Sequence, residues 1–335
     1  EAGGTLINQL KNIIVTFIAA KSVISGDLTL GMMLSVQYII GQLNSPVNLI
    51  IGFIQQTQDA RISLERLAEI HTKKDEDDQS LPLINEIPKD CGIRISDLSF
   101  KYEGAGSPTV LNSINLEIPH GKTTAIVGAS GSGKTTLIKL MLGFYQPLMG
   151  KIEIGNSPLT SFSMKEWRRS CGVVMQEGFI FSDTIANNIA PGDEHIDKAG
   201  LYKAVSIANI SSFIEHLPLG YNTKIGQEGY GMSQGQKQRM LIARAVYKDP
   251  QFLFFDEATN ALDANNEKVI MENLAEFFKG RTVVVVAHRL STVRNADNIV
   301  VLDRGRIIEQ GTHDELTEKR GEYYRLVKNQ LELGN

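Results

Sequence analysis

The sequence predicts an α/β P-loop fold behind a helical N-terminal segment, and three observations carry that reading. From Ile93 onward, short apolar runs alternate with helical stretches. A glycine-rich loop ending in Lys and Thr, Gly128 to Thr135, directly follows one of those runs. Before residue 55 lie two long apolar runs, separated from the rest by a charged stretch.

With 335 residues the chain has room for two domains, one with a full core. Its formal net charge of −4 gives no basic face, so nucleic acid is not an expected partner. Cys91 and Cys171 stand far apart without metal-ligand spacing, which predicts two reduced, buried thiols. Glu1 is neither an initiator Met nor the start of a basic leader, so the chain is expected to be a fragment or processed piece.

Residues 1–70 read as a helical segment. Leu6 to Ile24 is mostly apolar, interrupted by Lys11 and Lys21; Gly26-Asp27 makes a turn, and a second run extends from Leu28 to about Ile54. A membrane helix takes about 20 apolar residues, so both runs are long enough to span a bilayer, and Pro46 is expected to kink the second. Gln37, Gln42, Asn44 and Asn48 are polar for lipid-facing positions and suit helices lining a path. A buried helical hairpin is the alternative. Arg61 and Arg66 put the end of the second run on the cytoplasmic side. Residues 71–90, rich in Asp, Glu and Lys, form a linker, and 91–335 the α/β domain. Candidate strands there are Thr124–Val127, Phe252–Phe255, Thr282–Val286 and Ile299–Leu302, and Thr312-His-Asp-Glu315 reads as a capping box.

In the loop Gly128-Ala-Ser130-Gly131-Ser132-Gly133-Lys134-Thr135, the glycines permit a tight turn with backbone N–H groups aimed at phosphate oxygens. Lys134 supplies a point charge to the phosphates, the Thr135 hydroxyl a Mg²⁺ ligand, and the following helix its positive end, with Thr136 also expected to bind nucleotide. The apolar strand Phe252 to Phe255 delivers Asp256 and Glu257 to the sheet's C-terminal edge, where such sheets bind ligands. Asp256 is placed to hold Mg²⁺ and Glu257 to polarise an attacking water.

Gly231-Met-Ser233-Gln234-Gly235-Gln236-Lys-Gln-Arg239, just upstream of that strand, resembles the signature motif of ATP-binding cassette (ABC) proteins. With the loop and the acidic strand in the family's order, the resemblance covers about Ile93 to Gln330. It implies a RecA-like core, an antiparallel β subdomain and an α-helical signature subdomain. It further implies an adenine contact at Tyr102, a Mg²⁺ ligand at Gln176, a partner-contact loop at Asn260 to Asp263, and a γ-phosphate contact at His288. Ser233, Gln234, Gly235 and Gln236 would then act on ATP held by a second subunit, in a homodimer with two active sites.

Two departures stand out. Gln234 occupies a place where Gly is usual, and Gly226 is followed by Gln227 where exporters of the family commonly have Glu. Helices preceding a cassette in one chain resemble the last membrane helices of an exporter half, with about four more expected upstream. The signature resembles that of bacterial peptide or bacteriocin exporters, which implies ATP hydrolysis coupled to peptide export, an inner-membrane location and a cytoplasmic cassette. A lipid or drug exporter is the alternative among exporters, and a soluble ABC ATPase acting on nucleic acid the alternative from another class.

Overall fold

The computed structural model describes residues 2–71, 82–104, 106–227, 229–287 and 293–333. They fall into two compact units, Glu1–Asp75 and Glu76–Asn335.

The first unit is a helical hairpin of α1 (Ala2–Ile24) and α2 (Leu30–His71). Gly26, with φ of 84°, makes the turn between them, where no Cβ has to be accommodated. Lys11 reaches across to Asn44 (2.6 Å) and Gln37 to Thr16 (3.4 Å), so polar side chains help hold the pair together. Pro46 lies inside α2, which runs as one helix from Leu30 to His71. One expectation changes here. Among the described residues no helix is long and apolar enough to cross a membrane. Length is sufficient, but Lys11, Lys21 and the amides of α2 interrupt the apolar sequence. The hairpin nonetheless leaves Ile13, Phe17, Tyr38, Leu49 and Phe53 each more than two-thirds exposed.

The second unit is built on two sheets. A four-stranded antiparallel sheet contains β1 (Ile93–Lys101), β2 (Thr109–Ile118), β4 (Met149–Ile154) and the short β5 (Ser157–Pro158), in the order β2-β1-β4-β5. A six-stranded sheet, ordered β10-β9-β3-β8-β7-β6, is formed by β3 (Thr123–Val127), β6 (Cys171–Val174), β7 (Phe252–Asp256), β8 (Thr282–Val286), β9 (Asn298–Asp303) and β10 (Arg306–Gly311). All its pairings are parallel except β9 with β10.

The apolar runs at β3, β7 and β8 follow from that arrangement. A parallel strand covered on both faces reads as a near-continuous apolar run rather than an alternating one. Phe252 and Phe254 enter one core with β1, β2, Trp167 and the helix after β3; Leu253 and Phe255 enter the other with the helices opposite.

Helices α3 (Lys134–Met141) and α4 (Met164–Arg169) belong to the first of these cores. The opposite side holds α5 (Ile185–Ile189), α6 (Lys198–Ile207), α7 (Ser211–Glu215), α8 (Gln234–Tyr247) and α9 (Ala264–Phe278). Two helices end the chain: α10 (His313–Lys319), opened by the expected Thr312–Glu315 capping box, and α11 (Glu322–Leu333). Cys171 is buried, as expected, and burial pushes its thiol pKa far up. Cys91 is only half-buried, because it stands at the start of the domain, before β1.

Candidate active site

Strand β3 ends at Val127, and the chain turns through Gly128 into the loop that opens α3. A Cβ on Gly128 would lie 2.0 Å from the Leu302 carbonyl oxygen, and one on Gly133 would meet Leu111 at 2.6 Å. The loop is thus pressed against β9 and β2, which only glycine allows. Gly133 takes φ of 107° as the residue before α3 and offers no side-chain cap. The first N–H groups of α3 are left for a ligand, and an anion at this helix end is favoured by the helix dipole.

Lys134 is 6% exposed and folds over the loop, donating from Nζ to the carbonyl oxygens of Gly128 (2.9 Å) and Ala129 (2.8 Å). Burial lowers its pKa, and the carboxylates of Glu257 and Asp256 act against that. Ser130 and Gly131 are exposed at the tip, whereas Ser132 and Thr136 are buried. Ser132 Oγ has no hydrogen-bond partner among the described residues.

Asp256 closes β7 and is fully buried, with neither carboxylate oxygen hydrogen-bonded by any described residue. Burial raises its pKa; the Thr135 hydroxyl and the charges of Lys134 and Lys139 oppose the rise, while Glu257 adds to it. Glu257 follows at φ of 52°, a left-handed conformation costly for a side chain with a Cβ and concentrated at functional sites. Its N–H is held by the Val286 carbonyl (3.0 Å). Its Oε2 accepts from Gln176 Nε2 (3.2 Å) and Asn260 Nδ2 (2.6 Å). Loop, acidic strand end and Gln176 therefore meet at the C-terminal edge of the six-stranded sheet. Asn260 as a partner of Glu257 escaped the sequence reading, although its i,i+3 spacing was a usable signal.

Tyr102 lies just after β1 and its hydroxyl pairs with Thr136 Oγ1 at 3.0 Å, either atom donating. The ring packs edge-on against Phe100 (5.0 Å) and Tyr145 (5.3 Å). This fixes an aromatic ring directly beside α3, next to the phosphate loop.

The signature residues sit elsewhere, at the start of α8. Ser233 caps the helix: its Oγ accepts from Gln236 N (3.2 Å), and Gln236 Oε1 accepts from Ser233 N (2.8 Å). The Ser-x-x-Gln spacing is the sequence signal for this capping box. Gln234 is exposed in the first turn, where ordinary helical geometry suffices and no glycine is required. Gly235 is different, because a Cβ there would come within 3.1 Å of the Ala261 carbonyl. Asp263 caps α9 by accepting from Asn266 N (3.0 Å) and Asn266 Nδ2 (2.7 Å), bonds that hold its pKa low. His288 and the adjoining Arg289 lie outside the described residues, as does Glu228.

Comparison with known proteins agrees with this geometry. The ABC transporter family model matches residues 111–260. The leukotoxin translocation ATP-binding protein LktB of Mannheimia haemolytica is 39% identical over 333 residues, 99% of this chain and 46% of that protein. LktB of Bibersteinia trehalosi shows the same figures. The chain thus spans about half the length of the curated relatives it matches. A bacterial Atm1-family ABC exporter with ATP bound superposes with a TM-score of 0.75 at 31% identity, covering 98% of this chain and 58% of that one. With its phosphate loop, acidic strand and capped signature helix in these positions, the nucleotide-binding domain of this chain belongs to the ABC transporter family.

Proposed function

We propose that the chain is the ATP-hydrolysing part of an exporter subunit, working as a pair in which each phosphate loop faces the other subunit's signature helix. The observation that carries this is the division of the site. Lys134, Asp256, Glu257 and Gln176 converge at one sheet edge, while Ser233 opens a separate, exposed helix end. A helix N-terminus that is capped but solvent-facing is suited to receive an anion from outside its own subunit.

Within one subunit, Lys134 would exchange its two loop carbonyls for phosphate oxygens, and the first N–H groups of α3 would bind the same phosphates. The ring of Tyr102 offers a stacking face for adenine. The orphaned Asp256 carboxylate, beside the Thr135 hydroxyl and with Gln176 nearby, is an all-oxygen donor set of the kind Mg²⁺ prefers. When bound there, Mg²⁺ would neutralise phosphate charge. Glu257, oriented by Gln176 and Asn260, would hold and polarise the attacking water, with its strained backbone fixing the carboxylate direction. His288 is assigned the γ-phosphate and Asp263 the contact with the partner, on the motif resemblance. Ser233, Gln234, Gly235 and Gln236 would close the partner's site.

The apolar exposed faces of α1 and α2 support packing against further helices or lipid, and so a place in a plasma-membrane assembly with the cassette in the cytoplasm. The relatives are named for leukotoxin translocation, which supports a polypeptide as substrate over a lipid or drug. Binding of a fluorescent ATP analogue, Mg²⁺-dependent hydrolysis and ATP-driven dimerisation of the purified chain test the core of this reading. A chain that binds and hydrolyses ATP strictly as a monomer would overturn the paired site.

A further inference from the structure

We propose that Asn266 is a positioning residue that locks the signature helix to the partner-contact loop, so that Ser233 and Asp263 are presented to a second subunit as one rigid surface. This rests on the paired-site reading above. Asn266 is the centre of a hydrogen-bond chain running between three elements. Its N–H and Nδ2 donate to the two carboxylate oxygens of Asp263 (3.0 and 2.7 Å). Its Oδ1 accepts from Asn209 Nδ2 (2.9 Å) and Arg239 Nη1 (3.3 Å). The same Arg239 nitrogen also donates to the Asn209 carbonyl at 2.6 Å.

Each partner belongs to a different part of the site. Arg239 lies on α8, six residues after Ser233; Asp263 ends the contact loop; Asn209 forms the left-handed turn after α6, at φ of 49°. A second contact joins the same two regions independently, since Gly235 approaches the Ala261 carbonyl so closely that a Cβ would stand 3.1 Å from it. Seven residues beyond Asn266, on the same side of α9, Asn273 also donates to the end of α6, at Ser206 O (3.4 Å) and Ile207 O (3.3 Å).

The chemistry selects an amide at position 266. Facing Asp263 the side chain must donate, and facing Arg239 and Asn209 it must accept. An aspartate there keeps the second role but sets a like charge against Asp263, and a leucine loses both. Exchanging the two residues, Asp263→Asn with Asn266→Asp, reverses the donor and acceptor while keeping the bond. Asn is also as good a helix cap as Asp at 263.

The test uses the whole chain carrying Glu257→Gln, which prevents turnover from consuming the complex. Binding of a fluorescent ATP analogue at low protein concentration reads the subunit's own phosphate loop, and sedimentation against ATP concentration reads dimerisation. Asn266→Asp and Asn266→Leu should bind the analogue within about twofold of the parent yet need about tenfold more ATP to dimerise, the size of one lost charge-assisted bond. The exchanged double variant should dimerise at least as readily as Asp263→Asn alone, the pattern of a coupled pair. Dimerisation of Asn266→Asp at the parental ATP concentration overturns the proposal. So does a loss shared equally by analogue binding and thermal stability with no recovery in the exchange, which marks a purely structural role. If the Glu257→Gln parent binds the analogue but never dimerises, the paired site itself fails and Asn266 falls with it.

Discussion

Gln176 donates its side-chain amide to Glu257 Oε2 across 3.2 Å, joining the loop after β6 to the acid that ends β7's turn. Asn260 meets the same oxygen at 2.6 Å. With two donors aimed at one atom, the carboxylate has a fixed direction before any nucleotide arrives. A glutamine at 257 can present its single carbonyl oxygen at that point, so Glu257→Gln preserves the geometry and removes only the base. Turnover should fall by roughly 100-fold or more, the range for losing a general base, with ATP binding retained. A steady-state ATPase assay beside equilibrium binding checks it; hydrolysis near the wild-type rate would remove Glu257 from its assigned role.

Asp256 gives a prediction in pH. Burial raises its pKa in the folded chain above the ordinary 3.8, so between 3.8 and the raised value the folded state holds more proton than the unfolded. Stability contributed by that proton is present below pH 3.8, declines as pH climbs through the window, and is gone at neutral pH. Asp256→Asn should therefore stabilise the metal-free chain at pH 7, by about 1–3 kcal/mol if a buried unsatisfied carboxylate is relieved, and should lose this advantage in acid. It should also abolish Mg²⁺-dependent hydrolysis. Thermal melts of both proteins across pH, with and without Mg²⁺, read the sign directly; a less stable Asp256→Asn at pH 7 contradicts the orphaned-acid account.

Some of this was legible in the sequence, and the reasons are physical. Strands covered on both faces are near-continuous apolar runs, so β3, β7 and β8 stood out, and β8 matched its expected bounds of Thr282–Val286. The tight glycine-rich turn at Gly128 to Gly133 was legible because close approach to Leu302 and Leu111 forces glycine at fixed positions. Contacts made at a distance along the chain left no such trace. Nothing in the local sequence announces that Arg239 and Asn209 both reach Asn266, which lie 27 and 57 residues from it. In the hairpin, apolar length overstated the case, because interspersed Lys and amide side chains lower the hydropathy without shortening the helices.

Tyr102 separates two contributions that one substitution confounds. Its hydroxyl bonds Thr136 and its ring packs on Phe100 and Tyr145. If the ring is the adenine platform, Tyr102→Phe should change ATP affinity by no more than about threefold, the value of one neutral hydrogen bond. Tyr102→Ala should weaken it by roughly tenfold, as base stacking on an aromatic side chain requires. Comparing ATP with a base-free triphosphate isolates the ring: equal losses for both ligands would place the base elsewhere.

The two middle positions of the signature should respond in opposite ways. Gln234 is exposed in the first helical turn, so Gln234→Gly relieves nothing and costs about 1 kcal/mol of helix propensity at most. Hydrolysis should stay within about threefold, because neither the Ser233–Gln236 capping box nor the approach to Ala261 depends on that side chain. Gly235→Ala instead places a Cβ 3.1 Å from the Ala261 carbonyl, tighter than ordinary contact. Either α8 or the contact loop must shift by a few tenths of an ångström, and both carry groups assigned to the subunit interface. The substitution should therefore depress ATP-driven dimerisation while leaving analogue binding by the isolated subunit unchanged. Full dimerisation by Gly235→Ala would show that this close approach has slack, and that the glycine is kept for some reason other than packing against Ala261.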